Sequence, residues 1–482
     1  MFEPVIGLEI HLELKTKTKM FCFCKNDPEE TEPNKNVCPI CLGHPGTLPL
    51  INKEAVNLVL KAGLSLNCQI NQFTRFDRKN YFYPDLPKGY QISQFDFPLC
   101  KNGFLEIGSK RIRIRRIHLE EDTGKLIHPE GKDYSLVDFN RAGVPLMELV
   151  TEPDIRSGKE AKAFAQELQL IFRYLGISEA DMEKGQMRVE VNISLRKPGE
   201  DFGTKVEIKN LNSLRSVERA VDYEIKRQTE ILSAGNKVIQ ETRGWDDKKG
   251  VTFSQREKEE SHDYRYFPEP DLVPFEISEE LIEELKRSLP ELPKEKRKRF
   301  RENYNLTSEA IEFFIQNKKL SEIFEKALAQ NKEKLGEKDY EKAVKIATGY
   351  LMTDLQGLMR DKGISEKDLK ISAKDFADFI FLIVSGKISS KIAKMVLEEM
   401  ALSGKDPQSV IKDKNLVQIT DEGEIKDIAE KVIEENPKAV EDFKKGKENA
   451  VQFLLGQIMA KTRGRANPQK AREIILEILK NL

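Results

Sequence analysis

Short segments in the first half of the chain alternate between apolar and polar residues, and this period of two is typical of β-strands. Between Val5 and Leu14 the even-numbered residues are all Ile or Leu, whereas the odd-numbered residues include Glu9 and His11. We therefore predict a strand that buries one face in a core and presents Glu9 and His11 together on the other. From this strand alone, a functional pair and two ordinary polar residues on a half-exposed face are both open.

A second alternating segment is strongly basic and contains an irregularity. Arginines alternate with isoleucines from Arg111 onwards, but Arg115 and Arg116 follow each other before Ile117 and Leu119 resume the apolar side. One extra residue of this kind predicts a β-bulge, a device that often redirects side chains near a site. The polar faces of this strand and its neighbours along the chain carry Glu9, His11, His118, Glu120, Glu190, Asn192, Glu207 and Lys209.

Helical periodicity appears between some of these strands. A helix over residues 160–175 should end at Gly176, and another should begin near Ser213. Asn52 should cap a helix that ends at Gly63. These elements predict a first domain of the α+β class, built on a largely antiparallel sheet. If the polar strand faces converge, their carboxylates would line a concave metal site.

The character of the chain changes after a proline-rich passage that begins at Tyr266 and a charged segment that begins at Pro290. Beyond them strand alternation fades, helical periodicity takes over, and a smaller helical unit follows Asp406. We predict an N-terminal cradle domain at residues 1–292, followed by two all-helical domains at residues 293–406 and 407–482.

The overall charge limits how the chain can bind nucleic acid. Lys and Arg number 80 against 81 Asp and Glu, so the net charge of −1 excludes a globally basic surface, and RNA contacts must use a local patch. One candidate patch surrounds a glycine turn near the C-terminus and comprises Lys461, Arg463 and Arg465. A solvated basic turn is the alternative.

Hydropathy does not favour a membrane protein. The first residues lack a basic stretch followed by an apolar core, and the longest apolar run, which begins at Phe376, is too short to span a bilayer. We therefore expect a cytoplasmic protein that makes no contact with a membrane.

Four of the six cysteines form a C-x-C pair and a C-x-x-C pair, separated by thirteen residues. They are Cys22, Cys24, Cys38 and Cys41. Four thiolates can complete a tetrahedral structural zinc site, and the second pair lies in a turn-forming C-P-I-C-L-G segment. The first pair is separated by one residue, whereas the usual zinc-binding pair has the spacing C-x-x-C. Four reduced cysteines without a metal are therefore the alternative.

The stretch from His118 to Glu152 concentrates carboxylates. Glu120 and Glu121 are followed by another acid, and Glu148 lies inside the apolar run PLMELV. Adjacent carboxylates repel, and a buried carboxylate is costly unless it meets a cation or a hydrogen-bond donor. Coordination of a hard cation such as Mg²⁺ explains both features. An exposed acidic turn followed by an edge strand is the alternative.

A loop that begins at Phe76 is dense in aromatic residues, prolines and lysines. Such a rigid but polar loop suits the binding of a nucleotide or of a single-stranded RNA end. Lys79 and Lys88 are its candidates for contacts with phosphate, and solvated loop lysines are the alternative.

Several longer segments together resemble one known family. They are VIGLEIHLEL from Val5, DRKNYFYPDLPKGYQISQ from Asp77, HLEEDTGK from His118, LVDFNRAGVPLMELVTEPDIRS from Leu136, EIKNLNSLRSVERA from Glu207, DYRYFPEPDL from Asp263 and GQIMAKTRGRANP from Gly456. Over essentially the whole chain, the sequence resembles the GatB family, the B subunits of aspartyl/glutamyl-tRNA amidotransferases.

The resemblance implies a reaction. A subunit of this kind would use ATP and Mg²⁺ to phosphorylate the side-chain carboxyl of mischarged Glu-tRNA(Gln) or Asp-tRNA(Asn), and the acyl phosphate would then be amidated. The ammonia would come from glutamine hydrolysis in an amidase subunit (A), and a small subunit (C) would bridge the pair. Phosphoryl transfer of this type needs positioned cations more than a protein nucleophile.

The resemblance also implies roles for individual residues. The leading magnesium and catalytic residues are Glu9, His11, Glu120 and Glu121, with Glu148, Glu190 and Glu207 of second rank. The expected contacts with ATP or the activated carboxyl are Lys79, Lys88, Arg141, Glu190, Glu207 and Lys209. The basic turn of Lys461, Arg463 and Arg465 would grip the tRNA, and zinc on the four cysteines would be structural.

Two alternatives accompany this interpretation. A related archaeal amidotransferase subunit carries an extra inserted domain, for which residues 268–300 leave no room. A non-catalytic, zinc-containing tRNA-binding scaffold of the same complex would gain nothing from acidic strand faces, because RNA is itself an anion.

Overall fold

The computed structural model describes residues 2–257, 264–416, 421–447, 449–462 and 464–481. The chain divides into two compact units, Met1–Pro293 and Lys294–Leu482. The first unit contains the sheets, and the second is helical. The α+β class predicted from the sequence is therefore confirmed. The division of the helical part at residues 406 and 407 stays a prediction.

The strands of the first unit vary from two to twelve residues in length. They are β1 Glu3–Glu13, β2 Gln69–Ile70, β3 Phe73–Thr74, β4 Asp77–Asn80, β5 Tyr90–Ser93, β6 Cys100–Ile107, β7 Lys110–Glu121, β8 Lys125–Ile127, β9 Leu136–Asp138, β10 Pro145–Thr151, β11 Met187–Arg196, β12 Val206–Leu211, β13 Glu241–Asp246, β14 Val251–Glu257, β15 Phe267–Pro268 and β16 Phe275–Glu276. The helices of this unit are α1 Lys53–Ser65, α2 Gly158–Leu175, α3 Leu214–Ser233 and α4 Glu279–Arg287.

The main sheet of the described residues has the order β14-β13-β12-β11-β1-β10-β7-β6-β2. Its neighbouring strands run antiparallel except β12 and β13, which are parallel. Smaller sheets join β15-β4-β5, β16-β3 and β8-β9. Strand β1 therefore lies at the middle of the main sheet, although it comes first in the chain.

One face of this sheet is apolar and the other is polar. On the apolar face Ile6, Leu8 and Ile10 of β1 are at most 1% exposed, and α1, α2 and α3 pack against the same core. Burying such a side chain contributes about 1.5–3 kcal/mol, so this alternation fixes which face of β1 turns away from the helices. The predicted orientation of β1 is confirmed, because Glu9 and His11 lie on the opposite face.

The predicted bulge is present in β7. Val150 of β10 pairs with Arg116, but the next residue, Thr151, pairs with Ile114, so Arg115 is the additional residue. The bulge shifts the alternation by one position, so Ile117 and Leu119 stay in the core while His118 and Glu120 turn to the polar face.

Local sequence signals account for the helix ends in most cases. Ser157 and Ser213 cap α2 and α3 by accepting hydrogen bonds from backbone N–H groups, and Gly176 ends α2 with φ of 70°. The predicted end of α1 at Gly63 is wrong, because the helix continues to Ser65. Gly63 serves packing instead: a Cβ atom there would lie 2.4 Å from the Sγ atom of Cys100.

The second unit consists of helices. They are α5 Pro293–Tyr304, α6 Ser308–Gln316, α7 Lys318–Lys334, α8 Glu337–Gly349, α9 Gln356–Lys362, α10 Ala373–Val384, α11 Ser390–Ser403, α12 Pro407–Asp413, α13 Glu422–Glu435, α14 Pro437–Lys444, α15 Asn449–Lys461 and α16 Pro468–Asn481, with a π-helix at Tyr350–Leu355 and a 3₁₀ turn at Glu366–Asp368. Among the described residues, none of the helices is long and apolar enough to cross a bilayer.

The packing of Gly63 against Cys100 leads to a stability prediction. We expect Gly63→Ala to lower the free energy of unfolding by about 1–3 kcal/mol, since the buried thiol must move. The double variant Gly63→Ala with Cys100→Ala should recover much of this loss. Urea denaturation of the purified chain measures both effects.

Gly456 in α15 provides the matched control, because a Cβ atom there would meet no atom within 4 Å. Gly456→Ala should be neutral or stabilising by up to about 1 kcal/mol, as the helix propensity of alanine requires. Equal effects at the two glycines would contradict the packing role of Gly63.

Candidate functional site

The polar face of the main sheet gathers ionisable side chains from three adjacent strands. In the cross-strand register, His11 of β1 lies opposite Glu148 of β10, which in turn lies opposite His118 of β7. Glu120 follows two residues later on β7 and pairs with Leu146. Residues that face each other across an antiparallel pair share one face, so the register alone brings these four side chains together.

The distances define a candidate metal cluster of His11, Glu120 and Glu148, which we call the three-ligand cluster. The Nε2 atom of His11 is 3.4 Å from a carboxylate oxygen of Glu148 and 3.7 Å from one of Glu120. One ligand atom from each residue lies within 4.8 Å of the others. Both carboxylates are almost fully buried. Two carboxylates and an imidazole provide a donor set that a divalent cation can use.

A second imidazole supports the same carboxylates. The Nε2 atom of His118 is 3.4 Å from Glu148 and 3.7 Å from Glu120, and the side chain is 3% exposed. Its Nδ1 atom is buried without a hydrogen-bond partner among the described residues. Sequence reasoning left His118 out of the predicted site. The available signal was its position on the same polar strand face as Glu120.

The charges of this group compensate one another. Burial disfavours the protonated form of His11, but the hydrogen bond and charge of Glu148 outweigh it and raise the pKa of His11 to about 9. Burial also opposes ionisation of Glu148, yet the charges and hydrogen bonds of His118 and His11 hold its pKa well below the usual range. At neutral pH the carboxylate of Glu148 is therefore ionised and the imidazole of His11 is protonated, so a cation that uses His11 as a ligand must displace its proton.

A second carboxylate cluster lies beside the first and comprises Glu9, Glu190 and Glu207. Here Lys209 already provides a cation, because its Nζ atom is 2.9 Å from Glu190 and 3.3 Å from Glu207. Burial works against the charge of Lys209, but the two carboxylates raise its pKa above the ordinary value. Burial and the charge of Glu148 raise the pKa of Glu9. This cluster fits a metal less well than the three-ligand cluster.

The structure does not bring Glu121 into either cluster. Successive residues of a strand point to opposite faces, so Glu121 turns away from Glu120. Its carboxylate accepts a hydrogen bond of 2.6 Å from Lys88 and one of 3.0 Å from the backbone N–H of Ile92. Lys88, which is partly buried, and Glu121, which is buried, thus form an ion pair apart from the three-ligand cluster.

Lys79 and Arg141 differ in what they can contact. The ammonium of Lys79 lies over the rings of Tyr81 and Tyr264, at 5.8 and 5.1 Å, and the nearby carboxylate of Glu120 raises its pKa despite burial. Lys79 is therefore a cation close to the three-ligand cluster. Arg141 instead donates to the backbone carbonyls of residues 123 and 124, at 3.0 and 2.8 Å, and holds the turn after β7.

The four cysteines come together as a second candidate metal centre. All the Sγ atoms lie within 4.8 Å of one another, and they belong to Cys22, Cys24, Cys38 and Cys41. The hydrogen bond from Cys22 lowers the pKa of Cys41 to about 5, and burial raises the pKa of Cys24 to about 12. The Nζ atom of the fully buried Lys19 lies 3.8 Å from the Sγ atom of Cys41. Four sulfur donors in this arrangement fit a tetrahedral zinc site.

Hydrogen bonds tie the loop between the two cysteine pairs to the loop that precedes β10. Asn34 accepts from the backbone N–H of Phe139 at 2.7 Å, and its own N–H donates to Asp138 at 3.0 Å. Asn140 accepts from the N–H of Asn36 at 2.9 Å. The cysteine cluster is therefore connected through ordered backbone to the strand that carries Glu148.

The basic turn of the second unit is only partly described. Lys461 forms an ion pair with Glu435 at 2.5 Å, and Arg465 donates to the backbone carbonyl of Thr462 at 3.3 Å. Arg463, the remaining predicted tRNA contact, lies outside the described residues. The two described side chains already make intramolecular contacts, and a phosphate would have to compete with these.

The comparisons with known proteins place this fold and site in a defined class. Residues 4–283 match the model of the GatB/GatE catalytic domain, and residues 333–479 match the model of the GatB domain. The sheet with its three-ligand cluster lies within the first of these matches. The class defined by the fold and site is thus that of proteins with a GatB/GatE catalytic domain.

Curated relatives resemble the chain over its full length. The B subunits of the aspartyl/glutamyl-tRNA(Asn/Gln) amidotransferases of Persephonella marina and Caldanaerobacter subterraneus are each 49% identical to it, over 99% of this chain and 100% and 99% of their own. That of Carboxydothermus hydrogenoformans is 49% identical over 100% of this chain and 99% of its own. The chain belongs to this family, the B subunits of aspartyl/glutamyl-tRNA(Asn/Gln) amidotransferases, as its sequence motifs predicted.

The pKa of His11 leads to a prediction about pH. A histidine whose pKa is higher in the folded state than its unfolded value of 6.5 stabilises the fold fully below pH 6.5, and this contribution is lost as the pH rises through about 9. In magnesium-free buffer we expect the free energy of unfolding to fall by about 1–3 kcal/mol between these pH values. Chemical denaturation at several pH values measures it.

In the variant His11→Asn the free energy of unfolding should depend clearly less on pH between 6.5 and 9, because the titrating group is gone. The exposed His128 provides the control, and His128→Asn should keep the wild-type dependence. Parallel pH curves for His11→Asn and the wild-type chain would refute the proposed charge network.

Proposed function

We propose that the chain is the subunit of a tRNA-dependent amidotransferase that uses ATP to phosphorylate the side-chain carboxyl of Glu-tRNA(Gln), Asp-tRNA(Asn) or both. Ammonia then displaces phosphate from the acyl phosphate and gives the amide. The observation that carries this proposal is the three-ligand cluster, which lies near Lys79 on the polar face of the sheet. Membership of an amidotransferase family supports the amidation, and the phosphorylation step is part of the proposal.

The residues of the site would divide the work as follows. His11, Glu120 and Glu148 would hold Mg²⁺, which supplies positive charge to the phosphate oxygens of ATP when bound. Lys79 would place its ammonium against the charge that develops on the transferred phosphoryl group. His118 would keep the two carboxylates oriented, since its Nε2 atom contacts both. No protein nucleophile is needed for this transfer.

The remaining predicted contacts would surround this centre. Glu190 and Glu207, neutralised by Lys209, would shape the wall beside Glu9. Lys88 is held by Glu121, and Arg141 is held by backbone carbonyls. These contacts of Lys209, Lys88 and Arg141 support a role in shaping the site. To contact ATP directly, Lys88 or Arg141 would have to give up its present partner.

Zinc on the four cysteines would have a structural role. A Zn²⁺ ion with four thiolates carries a net charge of −2, and the buried ammonium of Lys19 beside Cys41 would offset part of it. The bound ion would fix the loop that Asn34 and Asn140 join to the loop before β10.

The partners follow from the same proposal. An amidase subunit (A) would supply ammonia, and a small subunit (C) would complete a heterotrimer. The basic turn of Lys461, Arg463 and Arg465 would contact the tRNA backbone. The alternative of a non-catalytic tRNA scaffold is less well supported, because an RNA-binding surface gains nothing from carboxylates clustered on a sheet face.

The catalytic proposal predicts the effect of removing one ligand charge. In the assembled complex, Glu148→Gln should reduce ATP hydrolysis stimulated by charged tRNA at least about a hundredfold, because a cation ligand is lost, while glutamine hydrolysis by the partner subunit stays measurable. The exposed Glu130 gives the control, and Glu130→Gln should retain the wild-type rate. Full ATP turnover in Glu148→Gln would eliminate the site assignment.

The zinc proposal makes a separate prediction. Cys38→Ser should lower the zinc content from about one ion per chain, lower the thermal midpoint by several degrees, and expose residues 27–37 to protease, because a structural metal contributes directly to folding. Elemental analysis and limited proteolysis measure these effects. Cys68→Ala, outside the cluster, should keep the metal. Zinc-free wild-type protein with a protected loop would show that the cysteines act without metal.

A further inference from the structure

An open groove of about 490 Å³ lies along the edge of the polar face, outside the three-ligand cluster. Its walls combine exposed aromatic rings with cations, and the residues that matter below are Phe73, Phe95, Lys101, Arg115 and Arg116. We propose that this groove binds the single-stranded 3′ end of the tRNA, with a base stacked on Phe95 and a backbone phosphate beside Lys101. The inference rests on the proposed function and names the path by which its substrate enters.

Phe95 is exposed although its loop is firmly held. The ring is 53% exposed, yet the backbone N–H of Phe95 donates to the buried Asp77 at 2.9 Å. The preceding residue, Gln94, donates to Thr74 at 2.6 Å and accepts from the N–H of Leu119 at 3.1 Å. The solvent-facing ring is therefore part of a preorganised surface, and preorganisation lowers the entropic cost of binding.

Aromatic rings lead from this groove towards the reaction centre. Phe95 stacks on Tyr266 with ring centroids 4.3 Å apart and an angle of 15° between the planes. Tyr266 contacts Tyr264 edge to face at 6.1 Å, and Tyr264 lies 5.1 Å from the ammonium of Lys79. A base placed on the free face of Phe95 would extend this row, as single-stranded nucleic acids do on aromatic platforms.

The cations of the groove match a phosphate backbone. Lys101 is exposed and forms no ion pair within the described ranges. Arg115 is held by two hydrogen bonds to Glu152, at 2.9 and 2.8 Å, while its side chain stays 55% exposed. The single acid of the lining, Asp96, is neutralised by Arg75. Because Glu152 pairs with Arg115 and Glu148 with Arg116, Lys101 is the cation of the described lining that a phosphate could meet without displacing a carboxylate.

Arg116 connects the groove to the three-ligand cluster. It lines the groove, and its guanidinium lies 3.4 Å from a carboxylate oxygen of Glu148. The bulge at Arg115 permits both arginines to reach this region, because it places consecutive residues out of strict alternation. The aminoacyl group at the end of an RNA strand bound along the groove would therefore point towards Glu148.

The test compares two RNA probes on the assembled complex. A tRNA(Gln) transcript and the same transcript without its four 3′-terminal nucleotides are bound to the wild-type protein at fixed salt. We expect the full transcript to bind about tenfold more tightly, and Phe95→Ala should remove this difference while Phe95→Trp keeps it. Lys101→Ala should weaken binding of the full transcript and reduce its salt slope by about one.

The control uses a second exposed phenylalanine beside an arginine. Phe202 is 65% exposed, 5.4 Å from the guanidinium of Arg196, and lines a different groove. Phe202→Ala should preserve the tenfold preference for the full transcript.

Three outcomes would overturn the inference. These are an undiminished preference for the full transcript in Phe95→Ala, a rise in KM for ATP in place of the change in RNA binding, and loss of a partner subunit from the Phe95→Ala complex. The first leaves the catalytic proposal intact, the second assigns the ring to the nucleotide, and the third assigns it to a protein interface. A wild-type complex that binds neither transcript would instead overturn the proposed function.

Discussion

The burial of two carboxylates on one sheet face is the constraint around which the site is built. Glu120 and Glu148 are almost fully removed from water, and such charges are tolerated only when cations or donors meet them. His11 and His118 provide this compensation from strands on either side of β10. The face consequently holds its anionic groups in fixed positions before any cation arrives, which is the preorganisation that phosphoryl transfer requires.

The same principle of paired charge organises the surroundings. Lys209 neutralises the second cluster, and Lys88 neutralises Glu121 on the opposite side of β7. Near the cysteines, Lys19 places a buried ammonium beside thiols that would carry charge as metal ligands. Each of these lysines offsets one local negative charge. At the three-ligand cluster two histidines offset the negative charge instead. A metal can replace these histidines or use them as ligands.

Much of the first unit was predictable because strand alternation is a local signal. It gave the orientation of β1 and the bulge at Arg115, and the ordered motifs gave the family. The composition of the cluster was harder to predict, since it depends on the order β1-β10-β7, which joins strands far apart in the chain. Glu121 was therefore grouped with its neighbour Glu120, and His118 was omitted. From the sequence Gly63 resembles a helix end, because its steric contact is with a cysteine far away in the chain and leaves no local signal.

The most direct test of the account follows oxygen atoms. A glutamyl-tRNA(Gln) in which both oxygens of the side-chain carboxylate are ¹⁸O is given to the assembled complex with ATP, Mg²⁺ and glutamine. If the carboxylate attacks the terminal phosphorus of ATP and ammonia then displaces phosphate, each amide formed should release one phosphate that contains one ¹⁸O atom. Phosphate without ¹⁸O, formed in step with the amide, would contradict phosphorylation of the carboxyl group.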